Sequence, residues 1–356
     1  MGGHAVANAT RLPADHYHPI ADLCVARLRA TLVLEKRIAV IPSVRAKVSF
    51  GDIDILIEGC DWKKDADLFA KALHASTMVL DNPYSSVLSC GVSLAEMGWD
   101  TDYPSEALAQ VDLISVHPNH YGSALAYYSW NDCGNLVGSV ASHIGLKLGH
   151  EGLTYIVRDG SRVIAPLALL TDWDAILPVL GYDATRWRAG FDTLEDVFAF
   201  VTSSPFYDSE TFALANQNHK NRVRDAKRPT YQAFLRYIAE RPPVYAPVQR
   251  DKDGWLTYFC EAIPGFAAQY DAAWEEDRDN TLFRARYNGQ VVQEIVGLEG
   301  PALGEFMRHF RESCGPGFRR FVLTHPPEAL HDEIRAFARS RLGVPLPDET
   351  SQGGPR

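Results

Sequence analysis

The sequence predicts an α+β fold: a mixed β-sheet with flanking helices, then a mostly helical region, then a small C-terminal α+β unit. Short apolar runs of strand length, such as "DIDILIE" at 52–58 and "QVDLISVHP" at 110–118, alternate with helical patterns in the first half. From residue 134 onward the apolar spacing turns mainly helical. A proline-rich polar stretch, "RPPVYAPVQRDKDG" at 241–254, then separates off the last hundred residues like a linker. With 356 residues, 46% of them hydrophobic and 22% charged, the chain is long enough for two or three cores.

Each element has a local reason. Leu23, Leu28 and Leu32 repeat at helical spacing through 19–35, and "RIAVIP" reads as a short strand that ends at Pro42. "DIDILIE" is a strand, "DADLFAKALHA" a helix, and "SVLSCGVSLAEM" and "QVDLISVHP" supply two further strands. "GNLVGSVASHIGLKL", "DWDAILPVLG" and "TLEDVFAFVTS" continue the chain as helical segments. The organisation that follows is an N-terminal helical segment at 1–35, a sheet-centred domain at 36–145 and a helical domain at 146–241. A linker at 242–253, an α+β unit at 254–345 and a disordered tail at 346–356 complete it.

Chemistry concentrates in "VSFGDIDILIEG". Side chains alternate faces along a strand, so Asp52 and Asp54 point one way while Ile53, Ile55 and Ile57 point the other. Asp112, in "VDLISV", puts a third carboxylate on another hydrophobic strand. Three acids on adjacent strands can hold two divalent ions, Mg2+ or Mn2+, about 4 Å apart, an arrangement that activates an attacking hydroxyl and stabilises a leaving pyrophosphate. The turn before the acidic strand carries the hydroxyl of Ser43, the guanidinium of Arg45 and Gly51, a set suited to phosphates.

Charge narrows the partners. The formal net charge is −10, so a nucleic acid needs a local basic patch. Residues 217–241 provide one: Lys220, Arg222, Arg224, Lys227, Arg228, Arg236 and Arg241 stand against Asp225 and Glu240. Tyr231, Phe234 and Tyr237 recur there at helical spacing and pack the segment inward, which assigns Lys220, Arg222, Arg224, Lys227 and Arg228 to phosphate contact. Six scattered cysteines without metal-ligand spacing point to reduced thiols in an intracellular compartment. No apolar run approaches a membrane span, and the first residues lack a basic-then-apolar signal pattern. No oligomeric state follows from the sequence.

"SVRAKVSFGDIDILI" resembles the palm signature of the DNA polymerase β-like (family X) nucleotidyltransferases, in which a Gly-Ser turn and arginines precede a Gly-Asp-x-Asp strand. "HPNHYGSALAYYSWNDCGNLVGSVASHIGLKLGHEGLTYIVRDG" resembles the family's stretch from the third carboxylate into the thumb, and the likeness spans about residues 20–183. It implies a nucleotidyltransferase palm at 36–145 and a thumb-like start to 146–241. It further implies that Tyr127 and Tyr128 are the family's aromatic pair, with Asp132 and Asn135 as contacts of the incoming nucleotide. Pro42 stands where the family has a glycine, Trp130 where it has a small glycine, and Ser139 where it has a template-touching arginine. The implied reaction is metal-dependent transfer from a nucleoside triphosphate to the 3′-hydroxyl of a DNA primer. RNA or tRNA ends, another hydroxyl acceptor, and a non-catalytic nucleic-acid-binding protein of the same fold remain as alternatives.

Overall fold

The computed structural model describes residues 5–31, 36–82, 85–100, 102–241 and 246–342. Its contacts divide into a larger unit, Met1–Ile156 with Pro166–Phe266, and a smaller one, Val157–Ala165 with Ala267–Arg356.

The larger unit opens with β1 (Leu12–Pro13) and α1 (Ala14–Thr31), a helix that starts earlier than its leucine spacing suggests and keeps Pro19 inside it. Then come β2 (Ile38–Val40), β3 (Ser49–Phe50), β4 (Ile53–Glu58), α2 (Trp62–Leu73), β5 (Ala75–Val79), β6 (Val87–Ser93) and β7 (Leu108–Val116). Five of these strands form one mixed sheet in the order β2-β4-β7-β6-β5. The central pair β4 and β7 is parallel, with Asp54 opposite Asp112, while β6 runs antiparallel to β7 and sets Ser89 opposite Asp112.

Both faces of the central pair are covered, which suits a parallel pair. Ile53, Ile55 and Ile57 join Val111 and Leu113 in a core with α1 and α2. On the opposite face Leu56 and Val116 meet Tyr121 and Ala124 of α3 (Tyr121–Tyr128). Asp54 shares that second face, as strand alternation requires. Helix α2 begins where Asp61 accepts a hydrogen bond from the Lys63 amide and ends where His74 turns left-handed at φ 57°.

Beyond α3, α4 (Cys133–His143) leads into a three-stranded sheet of β8 (Leu146–Gly149), β9 (Gly152–Asp159) and β10 (Arg162–Leu170). The mainly helical pattern expected from 134 onward is interrupted here, because β-branched Thr154, Ile156, Val157, Val163 and Ile164 flank Gly160, which at φ 56° permits the turn between β9 and β10. The helices α5 (Trp173–Val179), α6 (Ala184–Ala189), α7 (Leu194–Val201), α8 (His219–Asp225), α9 (Pro229–Glu240) and α10 (Lys252–Ala262) complete the unit. The basic segment is thus two helices, broken at Pro229, and Tyr231 and Phe234 are fully buried beneath it.

The smaller unit contains α12 (Gly289–Val296), α13 (Gly300–Cys314), α14 (Phe318–Thr324) and α15 (Pro327–Leu342), with α11 (Phe266–Arg286) leading in. Its core is aromatic, with Tyr287, Phe306, Phe310 and Phe318 packed on Val292, Leu330 and Ile334. The α+β unit expected at 254–345 is corrected: its described residues are helical, and the only strand residues of the smaller unit come from 157–165. Asn288 caps the first turn of "VVQEIV" and Gly297 its last, so it closes as α12. The expected linker at 242–253 is also not the boundary, which falls after Phe266; 242–245 lie outside the described residues, and the Val248 amide donates to the Pro205 carbonyl at 3.0 Å. The tail at 346–356 lies outside the described residues. Among them, no helix is long and apolar enough to cross a membrane.

Candidate active site

Strand register builds the site. Asp54 and Asp112 face each other across β4 and β7, and Asp52 lies one pleat before Asp54. One carboxylate oxygen from each of the three lies within 4.8 Å of the others. Burial, then the charges of Asp52 and Asp112, push the Asp54 carboxyl up to about 7, with Lys47 pulling the other way. Burial likewise raises the Asp112 carboxyl, while hydrogen bonds from Ser89 and Gln110 hold it down.

Among the described residues, neither Asp52 nor Asp54 accepts a side-chain hydrogen bond from the protein. Carboxylates crowded together without donors carry an uncompensated charge, and three hard oxygen donors at this spacing suit a divalent cation of the Mg2+ or Mn2+ type. The residues present therefore fit such an ion.

A cleft of about 400 Å³ opens over Asp52 and Asp54. Its walls carry Arg11, Tyr17, Ser43, Lys47, Gly51, Tyr128, Asn131, Asp132 and Arg228. The Tyr17 ring stacks on Phe50 at 3.7 Å, and the Lys47 ammonium lies 4.5 Å over the same Phe50 ring. Burial lowers the Lys47 pKa, against the opposing charges of Asp52 and Asp54. Ser43 is fixed from behind: its hydroxyl donates to Asn131 Oδ1 at 2.9 Å, and the Val44 amide donates to the same oxygen at 3.2 Å. Trp130 and Asn131 reach that position through left-handed backbone, φ 62° and 63°, and the Trp130 amide donates to the Pro42 carbonyl at 2.7 Å.

The structure brings some sequence-predicted residues together and separates others. Asp52, Asp54 and Asp112 cluster, and Ser43, Gly51, Tyr128 and Asp132 line the same cleft. Arg45 does not. Its guanidinium donates to Asp192 Oδ1 at 2.6 Å and to the Ala189 carbonyl, so a partner far along the chain turns it away. Lys47, two residues on, lines the cleft instead, as do Arg11 and Arg228. Tyr127 and Asn135 line a neighbouring cavity of about 530 Å³ together with Gln217, Asn221 and Arg224. Helix α4 lies so close to α3 that a Cβ on Gly134 would clash with the Tyr127 carbonyl.

The basic segment divides in the same way. Lys220, Arg222 and Lys227 are exposed. Arg224 is exposed as well and also bonds the buried Asp225 at 2.7 Å, while Arg228, partly buried, bonds Asp132 at 2.8 Å inside the cleft. Each of these two guanidiniums has an acid within reach. Sequence reasoning also passed over Arg11, Tyr17, Lys47, Asn131 and Gln110. Lys47 and Gln110 sit inside the motifs already singled out, whereas Arg11 and Tyr17 arrive through packing at the start of α1.

No protein-family model and no curated protein matches the chain. Among solved structures, two ternary complexes of Leishmania infantum polymerase beta, one described as a P/T complex and one as a gap complex, align with TM-scores of 0.34 and 0.35 at 12% identity. Each alignment covers 42% of this chain, and respectively 60% and 53% of the polymerase chain.

Proposed function

We propose that this chain catalyses divalent-metal-dependent nucleotidyl transfer from a nucleoside or deoxynucleoside triphosphate to the 3′-hydroxyl of DNA, releasing pyrophosphate. The observation that carries the reading is the cluster of Asp52, Asp54 and Asp112 within 4.8 Å, of which Asp52 and Asp54 line a cleft whose walls carry Arg11, Lys47 and Arg228. Divalent ions held there would act as Lewis acids on the phosphoryl oxygens and lower the pKa of the acceptor hydroxyl. The three aspartates hold that charge in place. Lys47 and Arg11 take the triphosphate oxygens, joined by Ser43 once its hydroxyl turns from Asn131 Oδ1, with Gly51 leaving room for close approach and Tyr128 bordering the sugar and base. Arg228, paired with Asp132, adds a further cation on the opposite wall.

Exposed Lys220, Arg222 and Lys227 are the phosphate contacts proposed for a polymer. Engagement of the partly buried Arg228 by Asp132 leaves one cation fewer on that surface, which favours a second reading: the same chemistry on RNA or tRNA ends, or on another hydroxyl acceptor. The deciding experiment incubates the protein with each labelled NTP and dNTP, Mg2+ or Mn2+, and DNA and RNA primers with and without template. Extension of a DNA primer supports the first reading, and extension of an RNA primer or labelling of a non-polymer hydroxyl the second. No label transfer to any acceptor, from a folded protein that binds Mn2+, would refute nucleotidyl transfer.

A further inference from the structure

Behind the carboxylates, a neutral amide supports one of them. Gln110 is two residues before Asp112 on β7, on the same face, and only 3% of it is exposed. Its Nε2 lies 3.0 Å from both Asp112 oxygens. Its Oε1 accepts hydrogen bonds from the backbone amides of Ala5 at 3.0 Å and Val6 at 3.1 Å. Those amides can only donate and a carboxylate can only accept, so the orientation of the Gln110 side chain is set by its partners. The segment that supplies the two amides is itself tied to β7, since Ala9 bridges Leu108 and the Thr10 amide donates to the Leu108 carbonyl at 2.9 Å.

We propose that Gln110 is a positioning residue for metal binding, orienting the Asp112 carboxylate towards Asp52 and Asp54, and that the Ala5–Val6 backbone is the fixed point it works from. The inference rests on the metal-binding reading above. A carboxylate ligand needs a defined direction, and groups that hydrogen-bond ligands commonly set it. An amide suits this place because it holds both oxygens without adding the positive charge that would compete with a cation. It also links the start of the chain to the active site: freeing Ala5 and Val6 frees one end of Gln110.

The test measures Mn2+ binding by the electron paramagnetic resonance signal of the free ion, with far-UV circular dichroism as a check on folding. Gln110→Met keeps the length of the side chain and removes donor and acceptor. Its Mn2+ affinity is expected to fall about 10-fold or more, the usual scale for loss of such support, with turnover returning at saturating Mn2+. Asp112→Asn is not expected to recover at any Mn2+ concentration. Deletion of residues 1–7 leaves Gln110 in place and should weaken Mn2+ in the same direction; it decides the matter if Gln110→Met does not fold. An affinity within about twofold of the parent in the folded Gln110→Met or deletion variant, while Asp112→Asn abolishes binding, overturns the inference and leaves the metal site standing. Absence of Mn2+ binding in the parent protein overturns both.

Discussion

Asp54→Asn distinguishes an acid kept for metal from one kept for the fold. In the metal-free protein the Asp54 carboxyl is pushed up to about 7 from an ordinary 3.8, first by burial and then by Asp52 and Asp112. A folded state that holds a proton more tightly than the unfolded chain gains stability below the unfolded pKa and loses it as pH climbs to the folded value. The metal-free larger unit should therefore weaken between about pH 4 and pH 7. At about 1.4 kcal/mol per pH unit the loss by pH 8 is at most about 4 kcal/mol. Asparagine has the same shape and no charge, and the Asp54 side chain accepts no hydrogen bond among the described residues that the change would break.

Metal-free Asp54→Asn is thus expected to be more stable than the parent at pH 8, by up to about 4 kcal/mol, with the advantage shrinking towards pH 4. Urea unfolding followed by tryptophan fluorescence, in EDTA and in Mg2+ at both pH values, measures it. Mg2+ at about 100 times its dissociation constant should add about 2.7 kcal/mol to the parent and little to the variant, which should also lose transfer activity. An Asp54→Asn protein less stable than the parent at pH 8 in EDTA, or stabilised equally by Mg2+, would refute the reasoning.

Lys47→Ala should weaken nucleotide binding by about 1.5 to 3 kcal/mol, the worth of a charge-assisted hydrogen bond, whereas Arg45→Ala should change it by less than about twofold, because Arg45 is spent on Asp192; calorimetric titration of both variants measures the contrast. Replacing Lys220, Arg222 and Lys227 together by Ala should flatten the slope of log primer affinity against log salt by about 2, and an unchanged slope would remove this surface from the polymer path. Gly134→Ala should cost at least about 2 kcal/mol in urea unfolding, since its methyl group would meet the Tyr127 carbonyl and push α4 from α3.

What the sequence made legible was local. Strand alternation alone set Asp52 and Asp54 on one face opposite Ile53, Ile55 and Ile57, and the packing of those isoleucines into the α1–α2 core follows the same rule. Asp112 could be paired with them because "VDLISV" has the composition of a second buried strand. Long-range partners were not legible. Which cation of "SVRAKVSF" faces the cleft is decided by Asp192, 147 residues from Arg45. The loss of Arg228 from the exposed basic surface is decided by Asp132. Gln110 was readable by period, being two residues from Asp112, but a neutral amide on a strand carries no chemical signature until its partners are known.

The placement of charge makes nucleotide and metal depend on each other. The floor is acidic, with Asp52 and Asp54 lacking protein donors among the described residues, while Arg11, Lys47 and Arg228 stand on the walls. A cation alone meets the floor but is opposed by the wall cations, and a free triphosphate meets the walls but is opposed by the floor. Bound together they satisfy both, because phosphate oxygens complete the coordination that three carboxylates leave open. Each should therefore tighten the other's binding by one shared factor, as linkage between two sites demands. Mn2+ affinity measured with and without a non-hydrolysable triphosphate gives that factor, and nucleotide affinity measured with and without Mn2+ must return the same value. A factor of one in both directions would mean that floor and walls do not belong to a single site.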